Sequence, residues 1–224
     1  MSNKLNVYLE VGSRRTFAAA LEWPGWCRVG QDEDSAIQSL FEYGPRYASI
    51  VRTARLGFKL PKAISAFVIV ERLKGNATTD FGAPDIAPKN DAKPMGDVEL
   101  RRLQAILKAC WRAFDKAIEL AQGKTLRKGP RGGGRTVNKI TDHLLGSEIS
   151  YLAQLGGKVS QSETLEATRQ AILKTLKAAT QGEITAYGPR GGKRWLPRYF
   201  VRREAWHVLD HVWEIEDRLK KPSE

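Results

Sequence analysis

The apolar positions of this chain change period partway along it. Over the first 75 residues they come in short, β-branched or aromatic runs. NVYLEV (6–11) and RTFAAALEW (15–23) are separated by Gly12 and Ser13, a turn signal, and this pattern predicts a β-hairpin. Pro24 and Gly25 break the chain before a third short strand over Trp26 to Val29. Asp32, Glu33 and Asp34 are acids suited to a helix N-terminus. Ala36, Ile37, Leu40 and Phe41 follow at helical spacing. Pro45 restarts the helix before Tyr47 to Leu56, and SAFVIVERL (65–73) closes the sheet as its last strand. From residue 97 the apolar residues step by three and four instead. Leu100, Leu103, Leu107, Cys110, Phe114, Ile118 and Ala121 form a stripe on a helix that Asp97 is placed to cap. Thr136 to Leu155, Glu163 to Gln181 and Pro197 to Leu219 repeat the pattern. Four helices with one apolar stripe each must bury those stripes against one another, which predicts a four-helix bundle.

Between these regions, residues 76–96 hold three Pro and no periodicity, a linker composition. The expected architecture is therefore α+β: a small α/β domain over 1–75, a linker over 76–96 and a bundle over 97–224. Two cysteines in 224 residues, Cys27 and Cys110, make no disulfide framework and read as buried small hydrophobes. No run is apolar enough for a membrane span, and the start of the chain lacks the apolar core of a signal peptide, so the expectation is a cytoplasmic protein. The net charge of +12 favours an anionic partner. The excess is spread over helices and loops with no basic recognition helix, which ranks an anionic small molecule above nucleic acid.

All three histidines fall in the predicted bundle: His143 on its second helix, His207 and His211 on its fourth. Histidines four residues apart on a helix point from the same side, one turn apart. Both imidazoles can then reach one metal ion, with a third supplied by a facing helix. Zinc, nickel, iron and copper all suit neutral imidazole. The plainer alternative is a set of boundary histidines satisfied by nearby carbonyls or carboxylates.

TDHLLGSEISYL around His143, taken with REAWHVLDHVWEIEDRL around His207 and His211, resembles the DinB-like superfamily of metal-binding four-helix bundles over about residues 97–220. The resemblance implies a divalent transition metal on these three histidines. It also implies chemistry of the transferase, isomerase or hydrolase kind, with a low-molecular-weight thiol as co-substrate in some members. VYLEVGSRRTFAAALEWPGWCRVGQDEDSAIQSL is similar to the HicB-like fold, with PGWC in place of that fold's PGC turn. That likeness implies a regulatory or binding protein with a protein or nucleic-acid partner, in which any metal is structural. The chain carries no ribbon-helix-helix or helix-turn-helix segment to support DNA binding.

Three further features bear on chemistry. KGPRGGGR (128–135) and YGPRGGKR (187–194) repeat one Gly/Arg loop, each running up to a histidine-bearing helix. Arg131 and Arg135, nearest His143, are the candidate substrate-binding residues, although a solvated connector has the same composition. Glu204, one turn before His207, is a candidate catalytic residue, as an outer carboxylate or a general base for water at the metal; the alternative is an ion pair with an arginine. Asp142 and Asp210 point away from the histidines and are expected in solvent or in salt bridges. Tyr199, Trp206 and Trp213 recur every seven residues on the side of the last helix opposite its apolar stripe. Such rings are costly to leave in water, so the N-terminal domain or a second subunit, in a homodimer, is expected to cover them.

Overall fold

The computed structural model describes residues 4–128, 134–160 and 163–219. Its N-terminal part is one mixed sheet of β1 (Leu5–Val11), β2 (Thr16–Ala20), β3 (Cys27–Gly30) and β4 (Phe67–Lys74), in the order β3-β2-β1-β4. The predicted hairpin is β1 with β2, and β4 joins β1 in parallel after a connection that carries α1 (Glu33–Glu42) and α2 (Gly44–Val51). Asp32 caps α1 through a reciprocal hydrogen-bond pair with Ser35.

Register decides what each face of the sheet meets. Val7 opposes Ala20 and Leu9 opposes Ala18, and these side chains join Ala36 and Leu40 of α1 and Tyr47 of α2 in one apolar cluster. Tyr8 opposes Ala19 and Glu10 opposes Phe17 on the other face, where Tyr8, Phe17, Ala19 and Cys27 pack with Trp206. The sheet is therefore covered on both sides, and its second cover comes from the bundle.

That bundle consists of α4 (Asp97–Ala121), α5 (Val137–Leu155), α6 (Leu165–Thr180) and α7 (Pro197–Leu219). Thr136 and Thr164 cap α5 and α6. Asp97 lies inside the first turn of α4, where its charge still suits the helix dipole, and Gly96 takes the cap position. Helix α7 packs on α4 and α5. Its remaining flank meets the N-terminal part at the PGWC turn: Gly25 sits at φ +91°, and a Cβ there would lie 3.0 Å from Leu209 and 3.1 Å from Ala205. Only glycine combines that backbone with so close an approach to a helix.

Segment 76–96 has a linker's composition, yet it is fastened at both ends. A short helix, α3 (Ala77–Phe81), is capped by Asn76, and a 3-10 turn spans Lys89–Ala92. The buried Glu10 carboxylate accepts from Thr79 Oγ1 (2.5 Å) and from the backbone N–H groups of Asp85 and Ile86. From the other side α7 supplies three arginines. Arg202 Nε donates to both oxygens of the buried Asp91 at 2.9 and 3.0 Å; Arg198 grips Glu99 and the carbonyls of Lys93 and Pro94; Arg203 donates to Pro84 O. These partners are polar and distant in sequence, so no apolar periodicity announces them.

The aromatic repeat of α7 is buried within the chain. Trp206 meets Phe17 edge-to-face, Trp213 meets Tyr43 at 4.9 Å, and Tyr199 donates its hydroxyl to Asp85 O. The N-terminal part covers Trp206 and Trp213 and the 76–96 strap covers Tyr199, so the face on which a homodimer was expected is taken up within the chain. No helix among the described residues is long and apolar enough to cross a membrane.

Burial pushes the Asp91 carboxyl above its usual range despite Arg202, which marks a pair whose desolvation outweighs its attraction. Breaking such a pair still costs, because one charge is left buried alone. Asp91→Ala is expected to destabilise the protein by about 3–5 kcal/mol in urea unfolding. A loss under about 1 kcal/mol would show that the strap is not anchored there.

Candidate metal centre

Helix α5 presents His143 and helix α7 presents His207 and His211 to one another, as the i, i+4 spacing predicted. His207 Nε2 lies 3.2 Å from His143 Nε2 and 3.2 Å from His211 Nε2, and ligand atoms of all three lie within 4.8 Å of one another. His207 and His211 are buried, while His143 is half-buried and forms the side nearest solvent.

Three ring nitrogens this close cannot all be satisfied by each other. An imidazole nitrogen carries either one hydrogen or one lone pair, so His207 Nε2 makes a single hydrogen bond. Its second 3.2 Å contact then either shares that one hydrogen in a bent, weak three-centre bond or sets like groups against each other. A cation at the point of convergence relieves every contact at once. Nitrogens 3.2 Å apart are also within the span allowed to two ligands at about 2.0–2.1 Å from one ion.

The tautomer of His211 is set by Glu214. That carboxylate accepts from His211 Nδ1 at 2.9 Å and is itself held by Arg218 Nη1 at 2.8 Å. A carboxylate only accepts, so Nδ1 carries a hydrogen, and in the neutral ring Nε2 turns its lone pair to the convergence point. The hydrogen bond from His211, together with Arg218, holds the Glu214 carboxyl below its usual range against burial. Burial, with the neighbouring imidazoles adding to it, pushes His207 far below the usual histidine range, and burial with Arg135 lowers His143. Both rings are therefore neutral near pH 7 and able to ligate. The buried Nδ1 of His207 has no hydrogen-bond partner among the described residues. Tyr151 and Trp206 wall the site, with ring centroids 5.7 and 6.0 Å from that of His207.

The residues expected beside the histidines divide. Arg135 is exposed and close enough to act electrostatically on both His143 and His207. Arg131 lies outside the described residues. The second Gly/Arg loop closes on itself through Gly188 and Gly192, and Trp195 donates to Gln154 O near the C-terminal end of α5. Of the first loop, Gly134 and Arg135 lead into the N-terminus of α5, at the opposite end of that helix from the second loop. Asp142 is exposed and Asp210 pairs with Arg28, as expected.

Glu204 faces into the bundle. Fully buried, it accepts from Trp111 Nε1 at 3.0 Å and faces Glu148 of α5. Glu148 in turn accepts from Arg169 Nε of α6, and Arg169 reaches Asp115 of α4. Neither the metal-linked role nor the simple arginine pair expected for Glu204 describes this; it belongs to a polar layer drawn from all four helices. Burial pushes both carboxyls up, and for Glu148 repulsion from Glu204 adds to it, so the pair retains a proton that two separate carboxyls would lose. Sequence reasoning missed Glu214, Glu148 and Arg203. Glu214 was within reach, three residues after His211 on the same helix; Glu148 sits in the apolar stripe of α5, where nothing marks a carboxyl as having partners.

Comparison with family models, with curated proteins and with solved structures finds no match to this chain. The case for the site therefore rests on its own geometry.

Two expectations follow. Glu214→Gln removes the charged acceptor of His211, and metal affinity should fall about 10–100-fold with stoichiometry kept at saturating metal, as measured by competition with a chelating dye. For the carboxyl pair the native state binds the proton more tightly than the unfolded chain. The pair's contribution to stability should therefore decline as pH rises above the unfolded carboxylate pKa of about 4.3, by up to about 1.4 kcal/mol per unit, while the depressed His207 and His143 act in the opposite sense below about pH 6.5, so the readout is the difference between wild type and variant. Glu148→Gln keeps the hydrogen bonds without the titration and should flatten that decline in unfolding curves between pH 5 and 8; parallel curves would contradict a shared proton.

Proposed function

We propose that His143, His207 and His211 hold one divalent transition metal and that the protein is a metal-dependent enzyme acting on an anionic small molecule. The observation that carries this reading is the convergence of three Nε2 atoms, one of them fixed in its tautomer by Glu214. Among the described residues no fourth His, Cys or carboxylate joins the group. Structural zinc sites close with four protein ligands, whereas sites that do chemistry keep a position free, so three ligands favour catalysis over a purely structural ion. When bound, the metal would polarise an oxygen of the substrate or activate water or a thiol.

The chain's own residues supply the rest. Glu214 and Arg218 orient His211, Tyr151 and Trp206 keep bulk water from the buried side, and His143 faces the approach from solvent. Arg135 stands exposed there, at the start of α5, and Arg203 stacks at 4.9 Å on the Trp206 ring beside His207. Arg135 favours an anion at this mouth, and the Arg203 charge adds to the positive potential from the buried side. The cysteines are excluded as nucleophiles: Cys27 and Cys110 are fully buried, and burial pushes both thiols up. A thiol used here would have to come from a small molecule. Such a site in a helical bundle fits the DinB-like reading, and the sheet with its PGWC turn fits the HicB-like one; both remain proposals about ancestry.

Metal analysis tests the reading. Protein loaded with zinc or nickel and freed of excess is expected to hold about one ion per chain, and His207→Ala or His211→Ala should lose it with the helical spectrum intact. Metal-dependent turnover of carboxylate or phosphate esters, or of a thiol with an electrophile, supports the enzymatic half. Wild-type protein that holds no metal would sink the proposal.

A further inference from the structure

On the opposite side of α7 from the histidines, the N-terminal part, the strap and α4 enclose a cleft of about 360 Å³ that shares none of the metal site's residues. Three arginines line it: Arg102 from α4, Arg198 and Arg202 from α7. Two of them are spoken for, since Arg198 pairs with Glu99 and Arg202 with Asp91. Arg102 is not. It makes no hydrogen bond or ion pair among the described residues, although it is half-buried with its guanidinium 4.4 Å from the centroid of the Trp23 ring. Its surroundings leave its charge under-compensated, and burial lowers its pKa.

A guanidinium stacked on an indole spends its flat faces on the ring and keeps its N–H donors at the edge, in the fork that matches a carboxylate. The other walls are Leu21, Trp23, Pro24 and Leu103, an apolar surface beside a cationic end. Glu22 and Glu99 also border the cleft, and their charge opposes a dianion more than a monoanion. A volume of this size suits a small organic molecule.

We propose that this cleft is a second ligand site, for a small monocarboxylate with an apolar or aromatic body, whose carboxylate is received by Arg102. It goes beyond the metal site and does not depend on it.

Benzoate titrated into the full-length protein, followed by calorimetry and by the indole N–H resonance of Trp23 in nitrogen-15 spectra, is the test. Saturable one-to-one binding is expected, with the Trp23 signal shifting. Arg102→Gln should bind at least about tenfold more weakly, and Arg102→Lys, which keeps the charge without the fork, should fall between. His207→Ala should bind as wild type does, which separates this site from the metal centre. Each variant's thermal melting is compared with wild type, and Arg102→Lys carries the test if Arg102→Gln is unfolded. No saturable binding, binding unchanged in both Arg102 variants, or inorganic phosphate binding as tightly as benzoate would overturn the proposal.

Discussion

Everything in this structure depends on a helix that is buried almost all round and yet carries charge. Fifteen of the 23 residues of α7 are buried, among them Arg198, Arg202, Glu204, His207 and His211. A polar side chain out of water needs a partner, and the cost of leaving one alone is comparable to a large share of a domain's stability. Each of these residues therefore dictates part of the fold around it. Arg202 requires the strap to run where Asp91 can meet it, and Arg198 requires Glu99 of α4 and the strap carbonyls of Lys93 and Pro94; Glu204 requires Trp111 and Glu148. The two histidines, with His143, cannot satisfy one another by hydrogen bonds alone. Among the polar groups of α7 they are the set whose ring nitrogens converge on one point.

The same constraint joins the halves of the molecule. Residues of the sheet and of the bundle belong to one continuous apolar cluster, running from Val7 and Leu9 through Trp26 and Tyr47 to Leu107 and Val208. The sheet supplies the cover for Trp206 and Trp213 that a bundle alone lacks, and the PGWC turn presses a glycine against Ala205 and Leu209 to do it. Because α7 is gripped from the sheet, from α4 and from α5, the two histidines it carries are held by a rigid element, which favours a site of fixed geometry.

What the sequence revealed and what it hid divide along the range of the interactions. Periods of two and of three to four residues mark burial of apolar side chains on one element, and they located β1, β2, β4 and the four long helices. The i, i+4 spacing of His207 and His211 is equally local, so the clustering of these two with His143 was legible from the residues. The wheel placed Glu204 near the core but could not name its partner, since Glu148 lies on another helix and is a carboxylate, the group least expected to face it. The strap looked like a linker because what holds it, Glu10 from β1 and three arginines from α7, lies far away in the chain. Arg102 shows the same limit: only the folded molecule reveals that, of the three neighbouring arginines, it is the one without an ion pair among the described residues.

X-ray absorption at the zinc edge of the zinc-loaded protein tests the central claim most directly. The account expects one ion with three imidazole nitrogens at about 2.0–2.1 Å, seen through the outer-ring scattering that histidine ligands give, and further light ligands completing the shell. A shell of oxygen with no imidazole scattering, or with a single imidazole, would contradict it.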